Sequence, residues 1–111
     1  MNNLIVMKFG GTSVGSAERI RGAAEICRTR AAVSPVAVVA SAMSKITDLL
    51  LDTLRHAEAN DASGVERNLT QLEERHVRTC RELLPEERQH EILAAIRELV
   101  SAFRRIANGM L

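Results

Sequence analysis

The fold is decided by residues 4–14, which read LIVMKFGGTSV. Residues 4–9 form a short, mainly apolar run, and Gly10 and Gly11 follow it at once. This pattern is typical of a buried β-strand that ends in a tight loop. In open α/β sheets, ligands bind beyond the carboxyl ends of the strands, so the loop is a candidate binding site.

A helix and a second strand are predicted after this loop. Ser16 is a good N-cap, and Ile20 and Cys27 then recur at helical spacing. Residues 36–40 form a second short apolar run that is rich in valine. The order strand, helix, strand with short connections predicts a βαβ unit whose two strands are parallel.

The second half of the chain is predicted to be helical. One helix is expected to start near Thr47 and to end at Asn60. The capping-box pattern at residues 63–66 predicts the start of the next helix, and Pro85 suits the first turn of another. Residues 108–109, Asn-Gly, are predicted to cap its end. Because the connection at Pro85 is short, the last two helices are expected to form an antiparallel pair.

Apolar residues recur at helical spacing in the last two predicted helices, and we predict that they form an intramolecular core. In the helix that is predicted to start at residues 63–66, the stripe consists of Val65, Leu69, Leu72, His76, Cys80 and Leu83. His76 is therefore expected to be packed. In the last helix, the sharpest repeat of the chain consists of Ile92, Ile96, Leu99, Phe103 and Ile106. Apolar surface left exposed by an incomplete sheet would favour self-association.

The composition excludes several classes of protein. With 46% hydrophobic and 26% charged residues the chain is ordinary globular material, so extended disorder is not expected. A net charge of +1 and an aromatic content of 2% give no reason to expect nucleic acid or an anionic membrane as a partner. No stretch is long enough for a membrane span, and no targeting segment is visible.

The cysteines and histidines do not predict a metal site. Cys27 and Cys80 lie in predicted helices, and neither they nor the three histidines show the spacing of metal ligands. We expect two reduced thiols in a cytoplasmic protein.

The segment at residues 8–13 has the residue types of a phosphate site. Its glycines allow the backbone to approach a phosphate closely, and Thr12 and Ser13 add hydroxyl groups. Lys8 could place a positive charge on a phosphoryl oxygen, and the helix that begins near Ser16 adds a positive dipole end. A Walker A loop is excluded because its lysine follows the glycines. From these residues alone, an ordinary Gly-Gly turn remains an alternative.

The string KFGGTSV at residues 8–14 resembles the signature of the aspartokinases, which belong to the amino acid kinase superfamily. A second string, VVASAMSKITDLL at residues 38–50, is similar to that family's second strand and the loop after it. The resemblance covers essentially the whole chain but only the front of the family's catalytic domain. It implies a parallel-sheet α/β fold in which residues 1–48 are the βαβ part and residues 49–111 a helical segment. The later kinase-domain and ACT regions would then be absent.

The resemblance also implies an activity, which is ATP-dependent phosphorylation of the aspartate side-chain carboxylate to 4-phospho-aspartate. This reaction is the first step towards lysine, threonine and methionine, with ATP as co-substrate and Mg²⁺ on its phosphates. Lys8 would be the catalytic residue. The residues implied to bind ATP phosphates are Lys8, Phe9, Gly10, Gly11, Thr12 and Ser13. Ser41 and Thr47 would contact aspartate, whereas Lys45 between them is expected to face solvent.

Two other functions stay open. One is another amino acid kinase that acts on a different carboxylate, a carbamate or a nucleotide phosphate, although Ser41, Thr47 and the helical segment favour aspartate. The other is a non-enzymatic helical interaction module in which the Gly-Gly loop is only structural. Because the family's later contacts to aspartate and its glycine-rich nucleotide segment are not among these residues, we expect little or no kinase activity from the chain alone.

Overall fold

The computed structural model describes residues 3–111, so the first two residues of the predicted domain lie outside the described residues. The described elements are, in order, β1 (Ile5–Phe9), α1 (Ala17–Ala31), β2 (Val36–Ala40), α2 (Ile46–Glu58), α3 (Ala62–Leu83) and α4 (Glu86–Gly109). The chain divides into two compact units, one that ends at Lys45 and one that comprises Ile46–Leu111.

The first unit is the predicted βαβ arrangement. β1 and β2 are parallel neighbours, and their register runs from Ile5 opposite Val36 to Phe9 opposite Ala40. Ser16 caps α1 as predicted, because its Oγ accepts a hydrogen bond of 3.2 Å from the amide of Arg19. The mixed α/β fold class is therefore confirmed.

The second unit consists of α2, α3 and α4. Its buried apolar residues are Ile46, Ala57, Val65, Leu69, Leu72, Cys80, Val100 and Ala107. α3 and α4 are antiparallel, since Gln89 at the start of α4 donates to the Arg81 carbonyl at the end of α3 over 3.2 Å. At the other end of the pair, Arg104 forms an ion pair with Glu66. The predicted helical pair is thus confirmed, and α2 packs against it as a third helix.

Two of the predicted helix ends are wrong. The N-cap of α3 is Asp61 rather than a residue of the predicted capping box, because the Asp61 carboxylate accepts a hydrogen bond of 3.0 Å from the Gly64 amide. At the other end of the unit, α4 continues through Gly109, which has no positive φ, so the predicted Asn-Gly cap does not form.

Three of the five predicted stripe residues of α4 are exposed, contrary to the prediction, and the other two are half-buried. Leu99 is 72% exposed and Ile106 is 61% exposed, whereas Val100 and Ala107 are buried. Moving one residue along a helix turns the face by about 100°. α4 therefore packs through the side that carries the smaller Val100 and Ala107. The stripe of α3 is buried as predicted, at Val65 and three further positions.

Candidate functional site

Two loops leave the parallel sheet at the same edge. The glycine-rich loop, residues 10–15, follows β1, and the second loop, residues 41–45, follows β2. The strands are parallel and Phe9 lies opposite Ala40, so their carboxyl ends coincide. This is the position at which open α/β sheets bind their ligands.

Backbone hydrogen bonds join the two loops. The Ser41 amide donates to the Phe9 carbonyl over 3.0 Å, and the Ser44 amide donates to the Gly11 carbonyl over 3.1 Å. The predicted phosphate-binding residues and Ser41 are thereby brought together. Sequence analysis did not single out Ser44, because nothing in its residue type distinguishes it from the other small residues of that loop.

The glycine-rich loop is folded into two successive turns. The Ser13 amide donates to the Gly10 carbonyl over 3.0 Å, and the Gly15 amide donates to the Thr12 carbonyl over 3.3 Å. These two amides already have acceptors within the loop. The side chains of Thr12 and Ser13 belong to exposed residues, so their hydroxyl groups are available to a ligand.

Positive charge lies on both sides of this loop. Lys8 is an exposed residue, one position before the end of β1, and lies opposite Val39 in the sheet. Arg19, in the first turn of α1, lines a shallow cavity of about 230 Å³ together with Phe9 and Ser13. Sequence analysis did not single out Arg19, although its place three residues after the N-cap Ser16 is a signal that could have found it.

The residues predicted to contact aspartate lie in different units. Ser41 is exposed, and its hydroxyl donates to the Ala42 carbonyl over 2.7 Å, which leaves the Oγ lone pairs as acceptors. Such an acceptor suits the ammonium group of an amino acid. Thr47 is exposed in the first turn of α2, in the helical unit. Lys45 is exposed as expected, and it has a positive φ of 68°.

The helical unit contains a groove of about 260 Å³ that is almost entirely apolar. It is lined by Ile46, Leu50, Leu72, His76, Ile96, Leu99, Val100 and Phe103. His76 is the one titratable residue in that lining, and its Nδ1 donates to the Leu72 carbonyl over 2.8 Å, since a carbonyl can only accept. The groove lacks the charges that phosphoryl transfer needs, so the candidate chemistry belongs to the sheet edge.

Residues 3–111 contain neither a candidate metal cluster nor a candidate membrane-spanning helix. No group of three or more His, Cys, Asp or Glu residues in this part of the chain could hold a metal ion. Likewise, none of the described helices has the length and apolarity needed to cross a membrane.

The chain belongs to the amino acid kinase family, whose profile matches residues 3–107. This assignment agrees with a parallel βαβ unit that carries a glycine-rich loop at its carboxyl edge.

Within that family, the similar proteins are aspartokinases. The chain is 43% identical over 79 residues, 71% of its length, to the chloroplastic bifunctional aspartokinase/homoserine dehydrogenase 2 of Arabidopsis thaliana, of which it covers 8%. It is 44% identical over 81 residues, 70% of its length, to the chloroplastic aspartokinase 1 of the same plant, of which it covers 14%. It is also 55% identical over 53 residues, 47% of its length, to the aspartokinase of Mycolicibacterium smegmatis, of which it covers 13%.

The resemblance to aspartokinases that the two motifs indicated is thus confirmed. The chain spans only about a tenth of the length of these relatives, between 8% and 14%.

Proposed function

We propose that this chain carries the phosphate-binding edge and part of the aspartate-binding surface of an aspartate kinase. The reaction moves the γ-phosphoryl group of ATP to the side-chain carboxylate of aspartate and yields 4-phospho-aspartate and ADP. The observation that carries the proposal is the backbone contact between the glycine-rich loop and the second loop at one sheet edge. The family supports a kinase, and the printed names of the relatives support aspartate as the acceptor.

In the proposed reaction, the protein positions the reactants and stabilises negative charge. The attacking carboxylate of aspartate is ionised at neutral pH, so no general base is needed. Lys8 would stabilise the negative charge of the transferring phosphoryl group, and the glycine-rich loop would hold the phosphates. Ser41 and Thr47 would bind aspartate. Mg²⁺ would arrive on the nucleotide as MgATP.

The proposal extends to the place of this chain in the enzyme. Residues 1–111 would be the front part of an amino acid kinase domain, with residues 1–48 as its βαβ part and the rest as its helical segment. The half-exposed valines of the sheet, among them Val6 at 65% and Val38 at 51%, support this, because parallel sheets are normally covered on both faces. The chain alone would have little or no kinase activity.

The proposed setting is amino-acid biosynthesis in the cytoplasm. 4-Phospho-aspartate would be the first intermediate towards lysine, threonine and methionine. A reducing compartment would keep Cys27 and the buried Cys80 as free thiols.

The test is an amide NMR titration of the labelled chain with MgATP and then with L-aspartate. We expect MgATP to shift the amides of residues 8–13 and aspartate to shift those of Ser41 and Thr47. L-Glutamate, which is one methylene longer, serves as the acceptor control and should bind more weakly. A well-dispersed spectrum that neither MgATP nor aspartate changes would contradict the proposal.

A matched pair of variants separates the role of Lys8 from the general effect of removing one positive charge. Lys8→Met keeps an unbranched apolar stem but removes the ammonium group, and Lys45→Met does the same at the other lysine of the chain. Lys8→Met should weaken MgATP binding by about tenfold, because one charge-assisted contact is lost. Lys45→Met should bind MgATP like the unsubstituted chain, and equal losses in the two variants would argue against a specific role for Lys8.

A second candidate function, helical self-association, is favoured by the exposed stripe of α4. Ile92, Leu99 and Ile106 are 43%, 72% and 61% exposed, and they recur every seven residues. Apolar residues at this spacing are typical of helices that pair with one another. Sedimentation velocity should therefore show concentration-dependent dimers that Leu99→Glu reduces and Arg97→Glu does not. A monomer at every accessible concentration would contradict this candidate.

A further inference from the structure

The two neighbouring glycines of the loop have different surroundings. A Cβ atom built at Gly10 would meet nothing within 4 Å. A Cβ atom at Gly11 would lie 3.2 Å from the Ala42 carbonyl oxygen and 3.3 Å from the Ser44 Cα atom. Both contacts are with backbone, which cannot move aside as the end of a flexible side chain can. An alanine at position 11 would therefore have to push the backbone of the second loop away by a few tenths of an ångström.

The carbonyl group of Gly11 has two close neighbours, Ser44 and Gly15. The Ser44 amide donates to it over 3.1 Å. A Cβ atom at Gly15 would lie 3.1 Å from the same carbonyl oxygen and 3.4 Å from the Ser44 Cβ atom. Gly11, Gly15 and Ser44 thus form one close-packed contact, in which the second loop rests on the backbone of the glycine-rich loop.

The residue after this contact has an unusual backbone. Lys45 has a φ of 68°, in the left-handed region that residues other than glycine seldom adopt. Its side chain is exposed. The left-handed turn at Lys45 directly follows the residue whose amide donates to the Gly11 carbonyl.

We propose that Gly11 is a positioning residue that sets the second loop, and with it Ser41, against the phosphate-binding loop. The assignment of aspartate to Ser41 rests on the proposed function, whereas the contact between Gly11 and Ser44 does not. Phosphoryl transfer needs donor and acceptor in a near-attack geometry, and a displacement of about 1 Å can cost about 100-fold in rate. A methyl group at position 11 would displace the loop that binds the acceptor and leave the phosphate side of the site open.

Gly11→Ala and Gly10→Ala are a matched pair for the test, since each adds one methyl group to the same loop. Neither glycine has a positive φ, so alanine is compatible with the backbone at both positions. In ligand-free NMR spectra we expect Gly11→Ala to shift the amides of residues 42–45 and to speed hydrogen exchange at Ser44 by about tenfold or more. Gly10→Ala should leave these amides unchanged.

The binding measurement adds a readout that a purely structural role would not give. Gly11→Ala should raise the Kd for L-aspartate by about tenfold, whereas Gly10→Ala should change it by less than about twofold. An equal rise of the Kd for L-aspartate in the two variants would overturn the positioning role. If the unsubstituted chain binds neither MgATP nor L-aspartate, the proposed function fails, and the ligand-free comparison still decides whether Gly11 sets the second loop.

Two outcomes would overturn the loop contact itself. One is a folded Gly11→Ala chain in which the amides of residues 42–45 keep their positions. The other needs no variant: a Ser44 amide in the unsubstituted chain that exchanges as fast as a solvent-exposed amide. This second measurement decides the matter if Gly11→Ala does not fold.

Discussion

The Nδ1 atom of His56 lies 2.9 Å from the Oδ2 atom of Asp61, and this contact ties the end of α2 to the start of α3. On the other side of the ring, the Nε2 atom of His56 lies 3.3 Å from the Oδ2 atom of Asp52. That oxygen also accepts a hydrogen bond of 2.9 Å from the Asn68 side chain. Two carboxylates and one imidazole therefore fix the corner between α2 and α3.

The carboxylates at this corner predict a loss of stability in acid. The hydrogen bond from the Gly64 amide, with further help from His56, holds the pKa of Asp61 below its ordinary value. The hydrogen bond from Asn68 similarly lowers the pKa of Asp52. A carboxyl group whose pKa is lower in the folded chain stabilises the fold above its unfolded pKa, and that contribution is lost as the pH falls through the folded pKa. The free energy of unfolding should therefore decrease below about pH 4.

Asp61→Asn tests this prediction, because asparagine caps helices about as well as aspartate but does not titrate. Urea unfolding of both chains between about pH 2 and about pH 7 should show a flatter acid limb for the variant. Asp61→Ser, which also keeps a capping side chain at this position and does not titrate, is the control and should flatten the acid limb in the same way. An unchanged slope in Asp61→Asn would mean that this carboxylate does not contribute to acid sensitivity.

A second prediction concerns Gly64, which lies against the same corner. A Cβ atom there would overlap both the Asp61 carboxylate and the His56 ring. Gly64→Ala should therefore lower the free energy of unfolding by about 1 kcal/mol or more, despite the better helix propensity of alanine. Gly22→Ala, inside α1 with nothing within 4 Å of its Cβ position, should instead raise it by about 0.5–1 kcal/mol.

Adding His56→Ala to Gly64→Ala shows whether the overlap is the cause. Removing the ring should make the loss caused by Gly64→Ala smaller, because only the overlap with the Asp61 carboxylate remains, and this is a non-additive result for residues in contact. Additive losses of stability in the double variant would mean that overlap with the His56 ring does not cause the effect of Gly64→Ala.

The two strands and the loops that follow them could be predicted from the sequence. The hydrogen bond that joins the two loops could not. Short apolar runs followed by small residues are local signals, and they predicted both strands and both loops. The hydrogen bond between Ser44 and Gly11 joins residues that are far apart in the sequence, and no local pattern in either loop indicates it. The unit boundary at Lys45 also separates Ser41 from Thr47, which the motif presents as neighbours.

The start of α3 shows a similar limit. Sequence analysis predicted the capping box at residues 63–66 and did not single out Asp61. Asp61 is the residue that caps the helix, and its carboxylate also contacts His56 in the preceding helix. A sequence pattern within one helix does not indicate a contact with another helix. For the same reason, periodicity showed which residues of α4 share a face but not which face packs.

A third prediction follows from the two faces of the helical unit. Leu69 in α3 is 0% exposed and Leu99 in α4 is 72% exposed, although both belong to apolar stripes. Leu69→Ala should lower the free energy of unfolding by about 2–5 kcal/mol through the cavity it creates. Leu99→Ala should change it by less than about 0.5 kcal/mol, measured at a protein concentration too low for self-association. Similar losses in the two variants would show that the α4 stripe is buried in solution.

The last prediction concerns the backbone strain at Lys45. A positive φ costs a residue with a Cβ atom about 1–2 kcal/mol, whereas glycine adopts it freely but loses more chain entropy on folding. Lys45→Gly and Lys45→Ala both remove the charge of an exposed side chain, so their difference reports the backbone alone. Lys45→Gly should be more stable than Lys45→Ala by about 0.5–1 kcal/mol in urea unfolding. Equal stabilities would mean that position 45 is not left-handed in solution.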